Sequence, residues 1–425
     1  MKYQFVFLVV ISVVFSACAQ QFQSVQLPRP VTSSYPNAQV EPSIAIHPND
    51  PKKMIAGTVM DDYYYSVDGG HTWMSSTLKS EFGVGGDPVL HIDTKGRYYY
   101  FHLSNPKKGK RLDRIVCSYS DTISGDWSSS ATIPDGKKAQ DKPWVAGCDL
   151  TGNLYLTWTQ FDEYNSSNPE DSSHIMFAVS KDQGETWSAQ KRINKFGGDC
   201  LDESSTVEGA VPAVGPTGEV YVAWSGPKGI RFNRSYDEGE TWLEEEILVN
   251  TQPGGWKFQV PGIFRCNGLP ITKCDRSQGK FTGRIYVNWA DQRNGAEDTD
   301  IWLAYSDDKG DTWSEAVRVN QDTLPRHQFF TWMDVDQHTG YLYFVYYDRR
   351  AYDDDRTDVY MAISKDGGSS FEEFKLTDTP FLPSDKVFFG DYLNIAAVNG
   401  VIRPIWKRMD KGKISLWVTL VKLRP

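Results

Sequence analysis

The sequence predicts an all-β protein, a β-propeller of four-stranded blades, and three observations carry that prediction. One short phrase recurs along the chain: SVDGGHTW from Ser66, SKDQGETW from Ser180, SYDEGETW from Ser235 and SDDKGDTW from Ser306. Worn copies follow the same plan, SKDGGSSF from Ser364 and SYSDTISGDW ending at Trp127. A unit rewritten at intervals of roughly fifty to seventy residues marks a repeat architecture. Each copy also follows a strand-like run, such as HIMFAVS, DIWLAYS or DVYMAIS, rich in the residue types that fit a pleated surface. Finally, the last repeat stops one strand short at the C-terminus, while a lone strand-like segment stands at the N-terminus.

Within the phrase, Asp-x-Gly-x-Thr is turn chemistry. The short carboxylate accepts backbone N–H groups, and glycine supplies a backbone angle that other residues avoid. The Trp that follows opens the next strand with a large apolar face and a single N–H. Each copy is therefore a β-turn between the third and fourth strands of a blade, held by its Trp.

The modules then read in order. The first runs EPSIAIHP, MIAGTVMDD, YYYS; the second DPVLHID, RYYYFHLS, RIVCSYS; the third KPWVAGCD, NLYLTWTQF, HIMFAVS. The fourth has VPAVGP, EVYVAWS, GIRFNRS; the fifth VPGIF, RIYVNWADQR, DIWLAYS; the sixth FTWMDVD, YLYFVYYDRR, DVYMAIS. The seventh, DYLNIAAV, RPIWKR, ISLWVTLV, lacks an outer strand. The N-terminal FQSVQL resembles the outer strands AQKRIN and EAVRVN, so it is expected to complete the seventh blade and close the ring. Seven blades are expected, with a six-bladed ring carrying extra strands as the alternative.

Lys2, the apolar run Phe5–Phe15 and then FSACAQ read as an export signal over residues 1–19, too short to anchor in a membrane. Ala17-Cys18-Ala19 fits signal cleavage, giving a free protein. Ser16-Ala17-Cys18 fits lipidation at Cys18 equally well. Residues 20–425 are expected to form one exported domain, secreted, periplasmic or at the cell surface. The chain has 425 residues, a net charge of −10 and a pI near 5.3, which excludes nucleic acid as a partner. Membrane contact is expected only through a lipid anchor, and the domain is expected to be monomeric. Of the other five cysteines, Cys266 and Cys274 flank the compact CNGLPITKC and are the expected disulfide, with Cys148–Cys200 as a second pairing. No cofactor is expected. The acidic stretch YDDDRTD, Tyr352–Asp358, is read as a solvated charge run, with calcium binding as the alternative.

In a propeller the groups near the axis come from the starts of first strands and the ends of second strands. First-strand starts give Glu41, Asp87, Asp141, Lys142, Glu208, Gln259, Gln328 and Asp391. Second-strand ends include Asp61, His102, Gln160, Asp162, Lys407 and Arg408. Two further ends echo each other: WADQR places Asp291 and Arg293 where YYDRR places Asp348 and Arg350, with Arg349 between. Either these are repeated structural ion pairs, or Arg293, Arg349, Arg350 and Arg408 line a pocket that binds a carboxylate bidentately. Asp87, Asp141, Asp291 and Asp348 are candidate acids and bases, since glycoside cleavage needs a protonated and an ionised carboxyl. His102 is a further candidate acid/base. Glu41 and Lys142 are candidate substrate-binding groups.

The recurring phrase, with EPSIAIHP, DKPW, RIYVNWADQR and GDYLNIAA, resembles the Asp-box (BNR-repeat) proteins of the sialidase-like propeller superfamily across nearly the whole mature chain. That resemblance implies a glycan-active propeller and places the Asp-boxes on the face away from the active site. Sialidases have six blades and hold the substrate carboxylate with three arginines, the first in an F/Y-R-I-P motif. Here that place reads VEPSIAI, with Glu41 where the arginine would stand, so the sialidase catalytic set is not carried over. Three readings follow: a glycoside hydrolase acting on acidic or complex glycans, a polysaccharide lyase acting on uronate-containing glycans, or a non-catalytic propeller that binds glycans or proteins at the cell surface.

Overall fold

The computed structural model describes residues 22–29, 39–136 and 138–422, and the export signal and Cys18 lie outside them. Seven four-stranded antiparallel sheets make the blades. Their innermost strands are Ser43–Ile46, Val89–Ile92, Ala139–Gly147, Glu208–Val214, Ile271–Cys274, Gln328–Val335 and Asn394–Val398. Each packs on the innermost strands of the blades either side, and Ser43–Ile46 meets Asn394–Val398 to complete the circle. Closure comes from the N-terminus. Gln23–Gln26 pairs with Lys413–Lys422 as the outer strand of blade 7, in the register Ser24 to Thr419. The expected count of seven and the expected closing strand are both found.

The recurring phrase is a stapled turn. In the first copy, Asp68 accepts hydrogen bonds from the Thr72 N–H (2.9 Å), the Thr72 hydroxyl (2.6 Å) and the Ser66 hydroxyl (2.8 Å). Asp182, Asp237, Asp308 and Asp366 hold the same posts in theirs. The glycine is fixed by space as well as by angle. At Gly310, with φ of 91°, an added Cβ would stand 2.2 Å from the Phe232 ring of the preceding blade. The Trp that follows then packs edge-on against that preceding blade: Trp187 on Phe101, Trp242 on Phe177 and Trp313 on Phe232. Each turn thus joins neighbouring blades on one face of the disc.

At the other face the innermost strands begin with a kink. Lys142, Gly209 and Phe330 sit inside register shifts that open blades 3, 4 and 6, and all three have positive φ (45°, 75° and 52°). Glu41 and Asp87 take the same left-handed conformation (52° and 48°) at the same place in blades 1 and 2. A bulge of this kind re-aims a side chain, and a left-handed non-glycine residue costs of order 1 kcal/mol or more. Pro42, Pro88 and Pro143 follow these residues, and none has an N–H for the disrupted ladder to strand.

Two expectations change. VPGIF is not the first strand of blade 5: Val260–Ile263 is a turn, inside a hairpin formed by Lys257–Phe258 and Cys266–Asn267. The innermost strand of that blade is Ile271–Cys274, so Gln259 does not begin it. Cys266 and Cys274, the expected disulfide, are not bonded to each other. All five described cysteines are free and buried. Cys266 lies on the kinked face and Cys274 at the far end of the strand Ile271–Cys274, about 10 Å further along, too far for a disulfide. Cys148 and Cys200 are likewise at opposite ends of their blade and free: Cys148 follows the end of Ala139–Gly147, while Cys200 packs on Ala139 at its start.

Candidate active site

The kinks deliver charge to the axis. Lys142 lies at the centre, its ammonium 3.3 Å from Asp391, 3.4 Å from Glu208 and 4.0 Å from Asp141. Asp391 opens blade 7 and accepts a bidentate pair from Arg265, whose third guanidinium nitrogen lies 3.2 Å from Asp202. Tyr164 donates to Asp202 at 2.9 Å, and Glu41 accepts the Asp391 N–H at 3.2 Å. Asp87 and Asp141 stand carboxyl to carboxyl, within reach of a shared hydrogen bond. Two carboxyls can share such a bond only if one keeps its proton.

Burial sets the protonation. Glu208 is fully buried, and Glu41, Asp87, Asp141, Lys142 and Asp391 are nearly so. Loss of solvent, with the charge of Asp391, pushes Glu41 up to about 7 against the pull of Lys142 and Arg265. Burial and the charge of Glu41 push Asp87 up to about 6. Burial also drives Asp141 and Glu208 well above the usual carboxylate range. Asp391 goes the other way: burial opposes its charge, but Lys142 and Arg265 win and hold it down to about 2. Lys142 remains an ammonium because Glu208, Asp141 and Asp391 outweigh its own burial. Lys407 has no such match. Buried over the rings of Phe330, Tyr347 and Phe389 and donating to the Tyr392 carbonyl at 2.6 Å, it is lowered to about 7. The site therefore offers a held proton beside a carboxylate that stays ionised.

Below the cluster the axis is blocked by aromatic rings. Trp144 meets Trp332 at 4.3 Å and Tyr392 at 5.2 Å between centroids. Two small voids, about 30 and 10 Å³, flank Lys142 and Asp391 above this plug; the larger has room for one water. A wider cavity of about 430 Å³ opens on the opposite, Asp-box face. Of the charges that line it, Lys273 pairs with Asp334 (2.9 Å) and Arg276 with Asp149 (3.2 Å), while Asp336 accepts the backbone N–H groups of His338, Asn399 and Gly400.

Of the residues singled out in the sequence, Glu41, Asp87, Asp141 and Lys142 meet here. The others do not. Asp291 accepts from Trp289 and pairs with Arg293, which lies over the Trp302 ring at 4.3 Å. Asp348 pairs with Arg350, which also binds Glu373 and lies over Tyr360 at 4.4 Å. Both are ion pairs internal to one blade, the structural reading of the WADQR–YYDRR echo. Arg349 is tied to Thr357 and Asp355, and Arg408 to Asp410 at the rim. His102 is fully buried at the position that Trp158, Trp224, Trp289 and Trp406 fill in other blades. It hydrogen-bonds the Leu103 carbonyl and Ser118, and burial lowers it to about 4. In the YDDDRTD loop, Asp353, Asp354 and Asp355 face Arg326, Arg356 and Arg349, and among the described residues no group of three or more His, Cys, Asp or Glu is arranged to hold a metal ion.

The sequence had placed Glu208, Asp391 and Lys407 near the axis without assigning them a role. Arg265 and Asp202 were not anticipated: they come from insertions between blades, where no repeat signals their position.

No protein-family model matches the chain, and no curated protein matches it in sequence. Solved structures do share its β-propeller fold. The NanB sialidase of Streptococcus pneumoniae is similar at 10% identity and a TM-score of 0.50, over 87% of this chain and 83% of that one. A polysaccharide lyase, an ulvan lyase bound to a GlcA-containing saccharide, matches at 15% identity and 0.55, over 93% and 96%. The α-L-arabinofuranosidase of Fusarium graminearum matches at 12% identity and 0.51, over 95% and 98%.

Proposed function

We propose that the chain is an exported glycoside hydrolase that cleaves a complex glycan at the axial charged cluster. The observation that carries this reading is the contrast between Asp141 and Asp391 on either side of Lys142. Burial and the bond to Asp87 keep a proton on Asp141, while Asp391 stays ionised. Carboxyls whose surroundings push them in opposite directions divide acid from base. Asp141, with Asp87 as its proton partner, protonates the leaving oxygen. Asp391 faces the positive charge that develops on the sugar ring; a water entering the void beside Lys142 and Tyr392 bonds to the anomeric carbon as the leaving oxygen departs with the Asp141 proton, and Asp391 takes the proton that the water gives up. The excess of acids over cations supports this assignment, because an oxocarbenium-like transition state is cationic. Asp87 and Asp141 are in direct contact and serve as one unit, too close to flank a glycosidic bond as separate acid and nucleophile. Export rests on the N-terminal signal over residues 1–19, with Cys18 as the residue to be lipidated or passed over.

The fold relatives bring sialidase, lyase and arabinofuranosidase activities into question together, and product chemistry separates them. Incubating the purified domain with neutral, amino-sugar, sialylated and uronate-containing glycans should release new reducing ends without an ultraviolet-absorbing unsaturated product. An unsaturated product would overturn the hydrolase in favour of a lyase. Binding with no cleavage of any glycan would leave a non-catalytic propeller.

A further inference from the structure

The proposed cleavage makes no use of the cavity of about 430 Å³ on the Asp-box face. That volume falls within the range of small-molecule sites, about 300–1,000 Å³. Its floor is aromatic: Trp144 and Trp332 both line it, their rings 4.3 Å apart and tilted by 42°. Its mouth is the ring of turns that follow the innermost strands, with Asp149, Arg276, Gln337 and Asn399 around it. From Trp332 to Asp336, and from Trp144 to Asp149, the chain rises about 13–16 Å. The cavity is therefore a shaft, deep enough to take the end of an oligosaccharide.

The walls select the occupant. Each innermost strand is paired along one edge only, so its other edge turns backbone N–H and C=O groups toward the axis. A few of these are met by side chains: the Ala397 N–H donates to Asp334 at 2.9 Å, and the Leu90 N–H to the Ser43 hydroxyl at 3.0 Å. Burying the rest against an apolar ligand would be costly. Charge excludes an ion, because Lys273 and Arg276 each have an acid and Asp336 is spent on three backbone N–H groups. His91 adds an independent sign. Its half-buried ring lines the shaft and lies on Tyr99 at 5.8 Å, yet its nitrogens make no hydrogen bond among the described residues. Burial lowers it to about 4, so the neutral imidazole offers one donor and one acceptor. A hydroxyl group answers both.

We infer that the shaft is a second, non-catalytic glycan site that takes the end of a neutral oligosaccharide, with a sugar ring against Trp144 and Trp332 and hydroxyls on His91 and the strand edges. An indole face suits the apolar face of a pyranose, and hydroxyls both donate and accept, as the walls require. The aromatic plug separates this ligand from Asp141 and Asp391. A chain bound here holds the disc on a glycan with its kinked face turned outward.

Calorimetric titration of the full domain tests this, with cellotriose, maltotriose, laminaritriose and N-acetylchitotriose as neutral probes and trigalacturonate and a deacetylated chitosan trimer as charged ones. At least one neutral trisaccharide should bind, and both charged trimers should bind at least about tenfold more weakly than it does. His91→Phe keeps a ring on Tyr99 and deletes both nitrogens. The variant should melt as the wild type does and lose about tenfold in affinity for the neutral ligand. Should H91F fail to fold, hydroxyl-radical footprinting of the wild type locates the ligand. Exposed His338 at the mouth of the shaft should be protected, and exposed Phe264 on the kinked face should not. Binding of no neutral trisaccharide, tighter binding of a charged one, protection at Phe264 alone, or wild-type affinity in a folded H91F would each overturn the inference. Its readout is binding on the Asp-box face, so its failure is separate from failure of the hydrolase reading, which turns on cleavage and the Asp141 variant.

Discussion

At the scale of single residues, the cluster is a set of groups held out of their ordinary protonation states by burial. Glu41 makes this measurable. Its folded value of about 7 stands above the usual 4.5, so between those values the folded protein keeps a proton that the unfolded chain has released. Stability must then fall as pH rises across that window. Glu41→Gln removes the effect: thermal melts should show the variant gaining on the wild type from pH 4.5 to 7, with a constant gap above. An equal gap at pH 4 and pH 8 would mean that folding does not raise the Glu41 carboxyl above its ordinary value. The same scale explains why the repeated pairs drew attention in the sequence. Asp291–Arg293 and Asp348–Arg350 recur because two blades solve one packing problem in one way, each guanidinium lying over the aromatic residue of the neighbouring strand. Glu41, Asp87, Lys142, Gly209 and Phe330 occupy one structural position with five different side chains. In a repeat protein, variation at an equivalent position is the better sign of a site. That signal was present in EPS, DPV and DKPW, and it yielded four of the cluster's members. Arg265 and Asp202 lie on insertions, where no pattern places them.

At the scale of elements, two devices divide the labour between the faces of the disc. The Asp-box turns bind blade to blade, and the kinked strand openings aim charge at the axis. Substitutions in the two should separate cleanly. Gly310→Ala forces a Cβ into the Phe232 ring at a left-handed position and should cost about 1–3 kcal/mol of stability, seen in denaturant unfolding, while glycan binding stays unchanged. The turn chemistry of the boxes was legible because Asp, Gly, Thr and Trp each have a fixed physical task there. The hairpin before blade 5 was not. Its apolar VPGIF has the composition of a strand, yet Gln292 binds the Gln259 carbonyl and Val260–Ile263 turns back on itself, a tertiary arrangement that local propensity does not encode.

For the whole molecule, the ring is closed by a strand of four residues contributed from the far end of the chain. Ser24 hydrogen-bonds Thr419 at 2.9 Å, and Phe22 packs on Phe374 of blade 6. Removing residues 22–27 should lower the melting midpoint by more than about 5 °C and expose the edge of Lys413–Lys422 to pairing with other chains, visible as concentration-dependent association. An unchanged midpoint and a monomeric truncation would show that the ring holds without its clasp. Closure also explains why the cluster can be so charged: seven converging strands bury groups from distant parts of the sequence together, and only the mutual pairing of acids and cations makes that tolerable. The most direct test of the central claim is steady-state cleavage by Asp141→Asn beside the wild type, on whichever glycan the domain cleaves. With its melt unchanged, the variant should lose about 10²–10⁴-fold in kcat/KM, the range of a general acid. Cleavage by D141N at the wild-type rate would contradict the assignment of chemistry to the axial cluster.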